Sequence, residues 1–197
     1  MLLYYFYRCG AMTDDKVLVA EALNGDIRAF EEIVDIYKNK LYSFLVKMTY
    51  SREDSEELLQ EVFIRAYNNL DKYDDRYMFS TWIYRIALNA CKSFMKKRKK
   101  LRVTPINDEL LYAEADERYN PEKAYETNEL HREIVSLVQN LKEKQRIPLI
   151  LKYVKGFSYF EIGRVMGISE EAARMKVLRA KENICKKYLE RHRGDGA

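Results

Sequence analysis

Apolar residues recur at steps of three and four along most of the chain, which is the spacing of one face of an α-helix. The first such segment covers residues 14–24 and ends at Asn24-Gly25, a pair typical of helix ends. Asp26 can cap the next helix, whose apolar positions are Ile27, Phe30, Ile33, Val34, Tyr37, Leu41, Phe44, Leu45 and Met48. This pattern predicts amphipathic helices packed around a shared core.

Two further helices are predicted before residue 102. The first buries Leu58, Leu59, Val62, Phe63, Ala66 and Leu70. Residues 71–79 then form a loop of polar and aromatic residues, DKYDDRYMF, after which Ser80 can cap another helix. The apolar positions of that helix are Trp82, Ile83, Ile86, Ala87, Ala90 and Phe94.

A second helical part follows a segment that has no sustained apolar face. Residues 103–120 contain Pro105 and scattered acidic residues, which predicts a linker. Helices resume at Asn120-Pro121, and one over about 143–154 contains Pro148, a residue that should start or kink a helix. The predicted fold class is therefore all-α, with two small helical domains joined by a flexible linker.

The last part of the chain has the most specific pattern, that of a helix-turn-helix. Ser158 and Glu161 form a capping box before a short helix, and Gly167-Ile168-Ser169 makes a tight turn before a long one. Gly163 is small enough to let the two helices cross closely. The long helix turns four apolar residues inward: Ala173, Val177, Ala180 and Ile184. The residues between them are basic or apolar: Arg174, Met175, Lys176, Leu178, Arg179 and Lys181.

Composition narrows the class of protein. Only 7 Gly and 3 Pro occur among 197 residues, too few for a strand-rich fold with its frequent turns. No stretch approaches the roughly 18 apolar residues of a membrane span, so we expect no insertion into a membrane. Three widely spaced cysteines suit a reducing compartment, and with two isolated histidines they predict neither a metal site nor a cofactor. No Gly-rich phosphate loop or nucleophile motif favours an enzyme.

Charge is distributed unevenly, although the formal net charge is only +4. Residues 92–102 hold seven basic residues and no acidic one, and residues 172–193 hold eight basic residues against Glu182 and Glu190. Between these blocks, residues 107–126 carry seven acidic residues against two basic ones. Two basic blocks separated by an acidic stretch indicate two contacts with a polyanion.

Residues 1–11, MLLYYFYRCGA, are apolar and aromatic but too short to span a membrane. They also lack the basic start and longer apolar core of a signal peptide. Because Met12 precedes a helix-start signature, Thr13-Asp14-Asp15, we interpret residues 1–11 as an N-terminal extension outside the folded unit. The alternative is a short hydrophobic segment that docks on a partner.

Four segments, in this order, resemble the sigma-70 family of RNA polymerase sigma factors. DIRAFEEIVDIYKNKLYSFLVKM is similar to the first helices of the family's region 2, and DSEELLQEVFIRAYNNLDKYD to the helix that docks on the polymerase. FSTWIYRIALNACKSFMKKRKK resembles the helix that melts and recognises the −10 element. IPLILKYVKGFSYFEIGRVMGISEEAARMKVLRAKENI resembles region 4, the helix-turn-helix that reads the −35 element. The chain departs from the family's pattern at Ser93 and at Glu171-Ala172-Ala173.

The resemblance implies an organisation and a function. The long domain of larger sigma factors is missing, which points to the extracytoplasmic function (ECF) group. Residues 12–102 correspond to region 2, 103–120 to the linker and 121–193 to region 4. Such a protein is not an enzyme; in the cytoplasm it binds core RNA polymerase and promoter DNA and directs transcription initiation. It also has an anti-sigma factor as partner, often a membrane-anchored one. The alternative is a stand-alone helix-turn-helix transcriptional regulator, which would need a dimer interface or ligand domain.

The resemblance also implies a set of region 2 residues that bind and melt the −10 element. These residues mix aromatic with basic side chains, and unstacked bases can lie on aromatic rings while the DNA backbone follows the positive charge. The alternative for Phe79 and Trp82 is a place in the core. The expected residues are Tyr73, Arg76, Tyr77, Phe79, Ser80, Trp82, Arg85, Asn89, Lys92 and Lys96.

In region 4, Arg174 and Arg179 can each make a bidentate contact with guanine. Apolar side chains beside them can touch thymine methyl groups, and lysines can contact phosphates. The alternative is an ordinary solvated helix face. The residues expected to contact the −35 element are Ser169, Arg174, Met175, Lys176, Leu178, Arg179 and Lys181.

The acidic helix after Ser51 is the third implied surface. By resemblance it binds the clamp-helix coiled coil of the polymerase's largest subunit; from the residues alone it is an ordinary solvated helix. The expected polymerase-binding residues are Asp54, Glu57, Gln60, Glu61 and Arg65.

Overall fold

The structure, a computed structural model, describes residues 15–101 and 133–192; for residues 99–101 it describes only the backbone. All regular secondary structure in these two ranges is helical, which confirms the predicted fold class. The chain forms two compact units. Within the described residues, 15–45 and Glu53–Leu101 build the first unit, and Val46–Arg52 belongs with 133–192 to the second. The predicted N-terminal extension, the linker and the helix start at Asn120-Pro121 lie outside the described residues.

Between residues 15 and 101 the structure has four α-helices: α1 Asp15–Leu23, α2 Ile27–Thr49, α3 Arg52–Tyr67 and α4 Phe79–Leu101. The turn between α1 and α2 contains Gly25 at φ +94°, and the Asp26 carboxylate accepts a hydrogen bond from the Arg28 N–H at 2.9 Å. The core of the first unit consists of apolar residues at the predicted helical spacing. Its buried members include Ile33, Leu41, Phe44, Leu45, Leu58, Val62, Ala66, Ile83, Ala87 and Ala90, and Leu88, which was not among the predicted positions, is buried with them.

α4 begins two residues earlier than the predicted cap at Ser80 implies. The Met78 carbonyl accepts hydrogen bonds from the N–H groups of Thr81 and Trp82, at 3.0 and 3.4 Å. Phe79 therefore starts the helix, and Ser80 lies inside its first turn instead of capping it. A 3-10 turn, Leu70–Lys72, follows α3 and leads into the loop before α4.

The C-terminal part contains α5 (residues 133–139), α6 Glu143–Leu149, α7 Tyr159–Met166 and α8 Glu170–His192. Pro148 lies near the end of α6, and the chain continues directly into a π-helical turn, Ile150–Val154. Since proline has no N–H to donate, the α-helical hydrogen bonding is interrupted at this point, and the wider π turn replaces the predicted kink.

The helix-turn-helix formed by α7 and α8 follows the prediction closely. The Ser158 hydroxyl accepts from the Glu161 N–H at 3.2 Å, while the Glu161 carboxylate accepts from the Ser158 N–H at 2.7 Å. Gly167 ends α7 at φ +70°. A Cβ on Gly163 would lie 2.8 Å from the Ile168 carbonyl oxygen, so only glycine permits this approach of helix and turn.

Candidate nucleic-acid interface

An aromatic cluster stands at the start of α4. The ring centroids of Tyr73 and Phe79 are 5.3 Å apart, those of Phe79 and Trp82 5.3 Å, and those of Tyr73 and Trp82 5.7 Å. Phe79 is only 1% exposed and also packs edge-on against Tyr37 at 5.4 Å. The structure therefore places Phe79 in the core, the alternative that the sequence left open, where it supports the half-buried rings of Tyr73 and Trp82.

The loop before α4 is held by its own side chains. The Tyr73 hydroxyl donates to the Tyr77 carbonyl at 2.6 Å. The Arg76 guanidinium donates to both carboxylate oxygens of Asp74, at 2.9 Å from Nε and 2.6 Å from Nη2. This contact with Asp74 raises the pKa of Arg76, which stays fully charged and exposed. Sequence reasoning missed Asp74, whose carboxylate offsets the positive charge of Arg76 that was expected to face DNA.

A single face of α4 carries half of the expected −10 residues. Trp82, Arg85, Asn89, Lys92 and Lys96 follow one another at steps of three and four, and all but the half-buried Trp82 are exposed. We call these five residues the α4 face. Because α4 contains no Asp or Glu, nothing within the helix neutralises the cations. The α4 face thus joins an aromatic edge to a row of polar and cationic side chains.

A second exposed face lies on α8. Arg174, Met175, Leu178, Arg179 and Lys181 are exposed, and we call them the α8 face. Of the residues predicted to face inward on α8, Ala173, Val177 and Ala180 are buried, whereas Ile184 is half-buried.

Two other residues expected to touch DNA from α8 are placed differently. Ser169 caps the helix, and its hydroxyl accepts from the Ala172 N–H at 3.2 Å. Lys176 is half-buried beside the core positions. At the same helix start, a backbone amide and the Ser169 side chain lower the pKa of Glu171.

Arg174 is held by two side chains that sequence reasoning did not connect with it. Its guanidinium carbon lies 5.3 Å from the ring centroid of Tyr159 in α7, and its Nη2 lies 3.8 Å from the Glu170 carboxylate. The Lys152 ammonium lies 4.6 Å from the same Tyr159 ring and donates to the Phe157 carbonyl at 3.3 Å. Periodicity could not reveal the Tyr159 contact, because the two residues belong to different helices.

The expected polymerase-binding residues lie on α3. Glu57, Gln60 and Arg65 are exposed, and Glu61 accepts from the Arg65 guanidinium at 2.5 Å. The Asp54 carboxylate forms an intramolecular ion pair with Arg98 of α4. The exposed part of this surface therefore begins one turn after Asp54.

Two further observations concern metals and membranes. Among the described residues, no group of three or more His, Cys, Asp or Glu side chains could hold a metal ion. No described helix combines the length and the apolar character needed to cross a membrane.

Comparison with known families matches both parts of the chain. Residues 33–101 match the family Sigma-70 region 2, and residues 131–184 match Sigma-70, region 4. The chain is 33% identical over 177 residues to the ECF RNA polymerase sigma factor SigW of Bacillus subtilis (strain 168), covering 87% of this chain and 95% of that protein. It is 31% identical over 180 residues to the ECF RNA polymerase sigma-E factor of Haemophilus influenzae, covering 86% and 93%.

Two solved structures share the fold. CnrH in complex with the cytosolic domain of CnrY matches with a TM-score of 0.65 at 22% identity, covering 91% of this chain and 99% of that one. The sigma factor RpoE in complex with the anti-sigma factor NepR from Bartonella quintana matches with a TM-score of 0.64 at 19% identity, covering 81% and 96%.

Proposed function

The chain belongs to the sigma-70 family of RNA polymerase sigma factors, in its ECF group, and from this premise we propose how its surfaces direct promoter-specific initiation. As a sigma factor, it combines with core RNA polymerase and directs it to promoters. The proposal assigns the −10 element to the α4 face and the −35 element to the α8 face. The observation that carries it is the acid-free α4 face beside the half-buried Trp82 ring.

The α4 face melts the −10 element by trapping bases as they open. Base-aromatic stacking is worth about 1–3 kcal/mol per base, which is similar to the cost of opening a base pair. Trp82 and Tyr73 provide the accessible rings, and Phe79 supports them from the core. Lys92 and Lys96 neutralise the backbone of the opened strand without acidic neighbours in their helix. No nucleotide hydrolysis is needed for this step.

The α8 face reads the −35 element in the major groove. Arg174 and Arg179 provide the bidentate donors that suit guanine, and Met175 and Leu178 provide apolar contact with thymine methyl groups. Lys181 contacts phosphate, which positions the helix without specifying a base. Ser169 contributes as the cap that fixes the start of the helix.

The exposed residues of α3 bind the polymerase. Glu57, Gln60, Glu61 and Arg65 form this surface, and Asp54 supports it through its ion pair with α4.

We also propose that the chain has no catalytic activity of its own and that it works in the cytoplasm, where promoter DNA and polymerase meet. We further propose that an anti-sigma factor controls it. A solved relative of the same fold is bound to such a factor.

Run-off transcription tests the proposal. The full chain and core polymerase from the same organism are incubated with a library of genomic fragments, with core polymerase alone as the control. We expect discrete transcripts that require the chain, and co-purification of the chain with core polymerase. Tight binding to duplex DNA without any association with polymerase would instead identify a stand-alone regulator.

A further inference from the structure

We propose that Tyr159 is a positioning residue that holds Arg174 in the orientation in which it reads a base of the −35 element. This inference rests on the proposed function of the α8 face. Tyr159 is the first residue of α7, the helix of the helix-turn-helix that precedes the reading helix α8. It therefore acts on Arg174 from outside the helix that contacts the base edges.

The geometry of the contact is that of a cation lying over an aromatic ring. The Arg174 guanidinium carbon is 5.3 Å from the Tyr159 ring centroid, within the roughly 6 Å range of such interactions. Glu170, one turn earlier on α8, approaches the same guanidinium at 3.8 Å. The Arg174 side chain is nevertheless 63% exposed, so the ring and the carboxylate guide it without covering it.

Holding Arg174 in advance matters because arginine has a long side chain with many rotamers. A bidentate contact with guanine requires the planar guanidinium to meet two acceptors at once, and ordering a free side chain on binding lowers affinity. Arg179, on the same α8 face, has no ring contact or ion pair with the described residues. Of the two arginines on this surface, only Arg174 is therefore held in place before DNA binds. Arg179 serves as an internal control for an arginine that is not held.

The Tyr159 ring also contacts a second cation. Lys152 lies 4.6 Å from the ring centroid and donates to the Phe157 carbonyl, so the ring could serve only to join the π turn to α7. Such a structural role would affect the whole helix-turn-helix and would be reproduced by Lys152→Gln. A positioning role would affect one base position and would not be reproduced by Lys152→Gln.

The test uses holoenzyme assembled from the full chain, and the genomic fragment that gives the strongest run-off transcript. Every single-base substitution across its −35 element is transcribed, and discrimination is the ratio of transcript yields between preferred and substituted bases. Arg174→Ala should abolish discrimination at one position. Tyr159→Leu should reduce discrimination at that same position about two- to five-fold, whereas Tyr159→Phe, which keeps the ring, should match the wild type. Adding Tyr159→Leu to Arg174→Ala should cause no further change.

Several results would overturn the inference. One is unchanged discrimination in Tyr159→Leu, and another is an equal loss of discrimination at every position in that variant. An additive loss in the double variant, or no effect of Arg174→Ala, would also overturn it. If Tyr159→Leu does not fold, pentafluorophenylalanine incorporated in place of Tyr159 keeps the ring's shape and reverses its electrostatic face, and the same loss is expected. The absence of any run-off transcript with wild-type holoenzyme would instead refute the proposed function itself.

Discussion

The Arg98 guanidinium of α4 forms an ion pair with the Asp54 carboxylate in the first turn of α3. The two side chains are 22% and 21% exposed, so water screens the pair only partly. Arg98 also lies over the Phe94 ring, with its guanidinium carbon 5.5 Å from the ring centroid. A residue expected to face the polymerase thus ties the helix that bears the α4 face to its neighbour.

We expect Asp54→Ala and Arg98→Ala each to lower the free energy of unfolding by about 1 kcal/mol, because each removes the same partly shielded pair. Urea denaturation of the two single variants and the double variant measures this. The double variant should lose about as much as either single one, and additive losses would show that the two residues act independently. Lys38→Ala, which breaks an exposed pair with Asp35, is the control and should change stability by less than about 0.5 kcal/mol.

Trp82→Ala should reduce open-complex formation about five- to hundred-fold, since a stacked base loses about 1–3 kcal/mol. Permanganate reactivity of −10 thymines measures opening, and a gel shift at low temperature measures the closed complex, which should be unaffected. Trp82→Phe retains an aromatic ring and should keep most of the opening. Normal melting by Trp82→Ala would remove this residue from the proposed mechanism.

Gly163→Ala should lower the free energy of unfolding by about 1–3 kcal/mol, because the added Cβ would lie 2.8 Å from the backbone oxygen of Ile168, and backbone cannot rotate away as a side chain can. Thermal unfolding followed by circular dichroism measures the change. Gly167→Asn is the matched control: its φ of +70° suits asparagine, and no atom lies within 4 Å of the added Cβ. An equal loss in the two variants would contradict the steric explanation.

Stability should fall at high pH partly because of Tyr37. Burial, and then the hydrogen bond that its hydroxyl donates to Asp15 at 2.5 Å, raise the pKa of Tyr37. The unfolded chain releases this proton near pH 10, while the folded chain retains it. The resulting stabilisation is complete below about pH 10 and decreases as the pH rises further, by up to about 1.4 kcal/mol per pH unit.

Urea midpoints between pH 9 and pH 11.5 measure this effect. Tyr37→Phe should give a shallower decline than the wild type, although it is less stable at neutral pH because the hydrogen bond to Asp15 is lost. Tyr42→Phe removes a hydroxyl from the same helix and serves as the control. Parallel declines in the wild type and Tyr37→Phe would refute the assignment.

The helices could be predicted because each one buries a face, and burial imposes a repeat of three and four that the sequence displays directly. Ile33, Leu41 and Val62 are at predicted positions and are fully buried. Capping could also be predicted, since Ser158 and Glu161 interact over a short stretch of chain. The exposed residues of the α4 face followed from the same repeat.

Contacts between helices could not be predicted in this way. Asp54 and Arg98 are 44 residues apart, and Tyr159 meets Arg174 across a turn, so no local pattern records either pair. The burial of Phe79 was left open because it lies at a loop-helix junction, where one aromatic residue shows no periodicity. The Arg76–Asp74 contact was local but was obscured by the other charged residues of the same loop.

The π turn after Pro148 accommodates one residue more than an α-helical turn would use. Removing a residue from Ile150–Val154 would favour a regular α-helix and would rotate the chain that follows by about 100° about the helix axis. Phe157, now buried, would then leave its place in the core. The number of residues in this turn therefore sets the direction in which α7 departs. Inserting or deleting a single codon here would change the orientation of the reading helix.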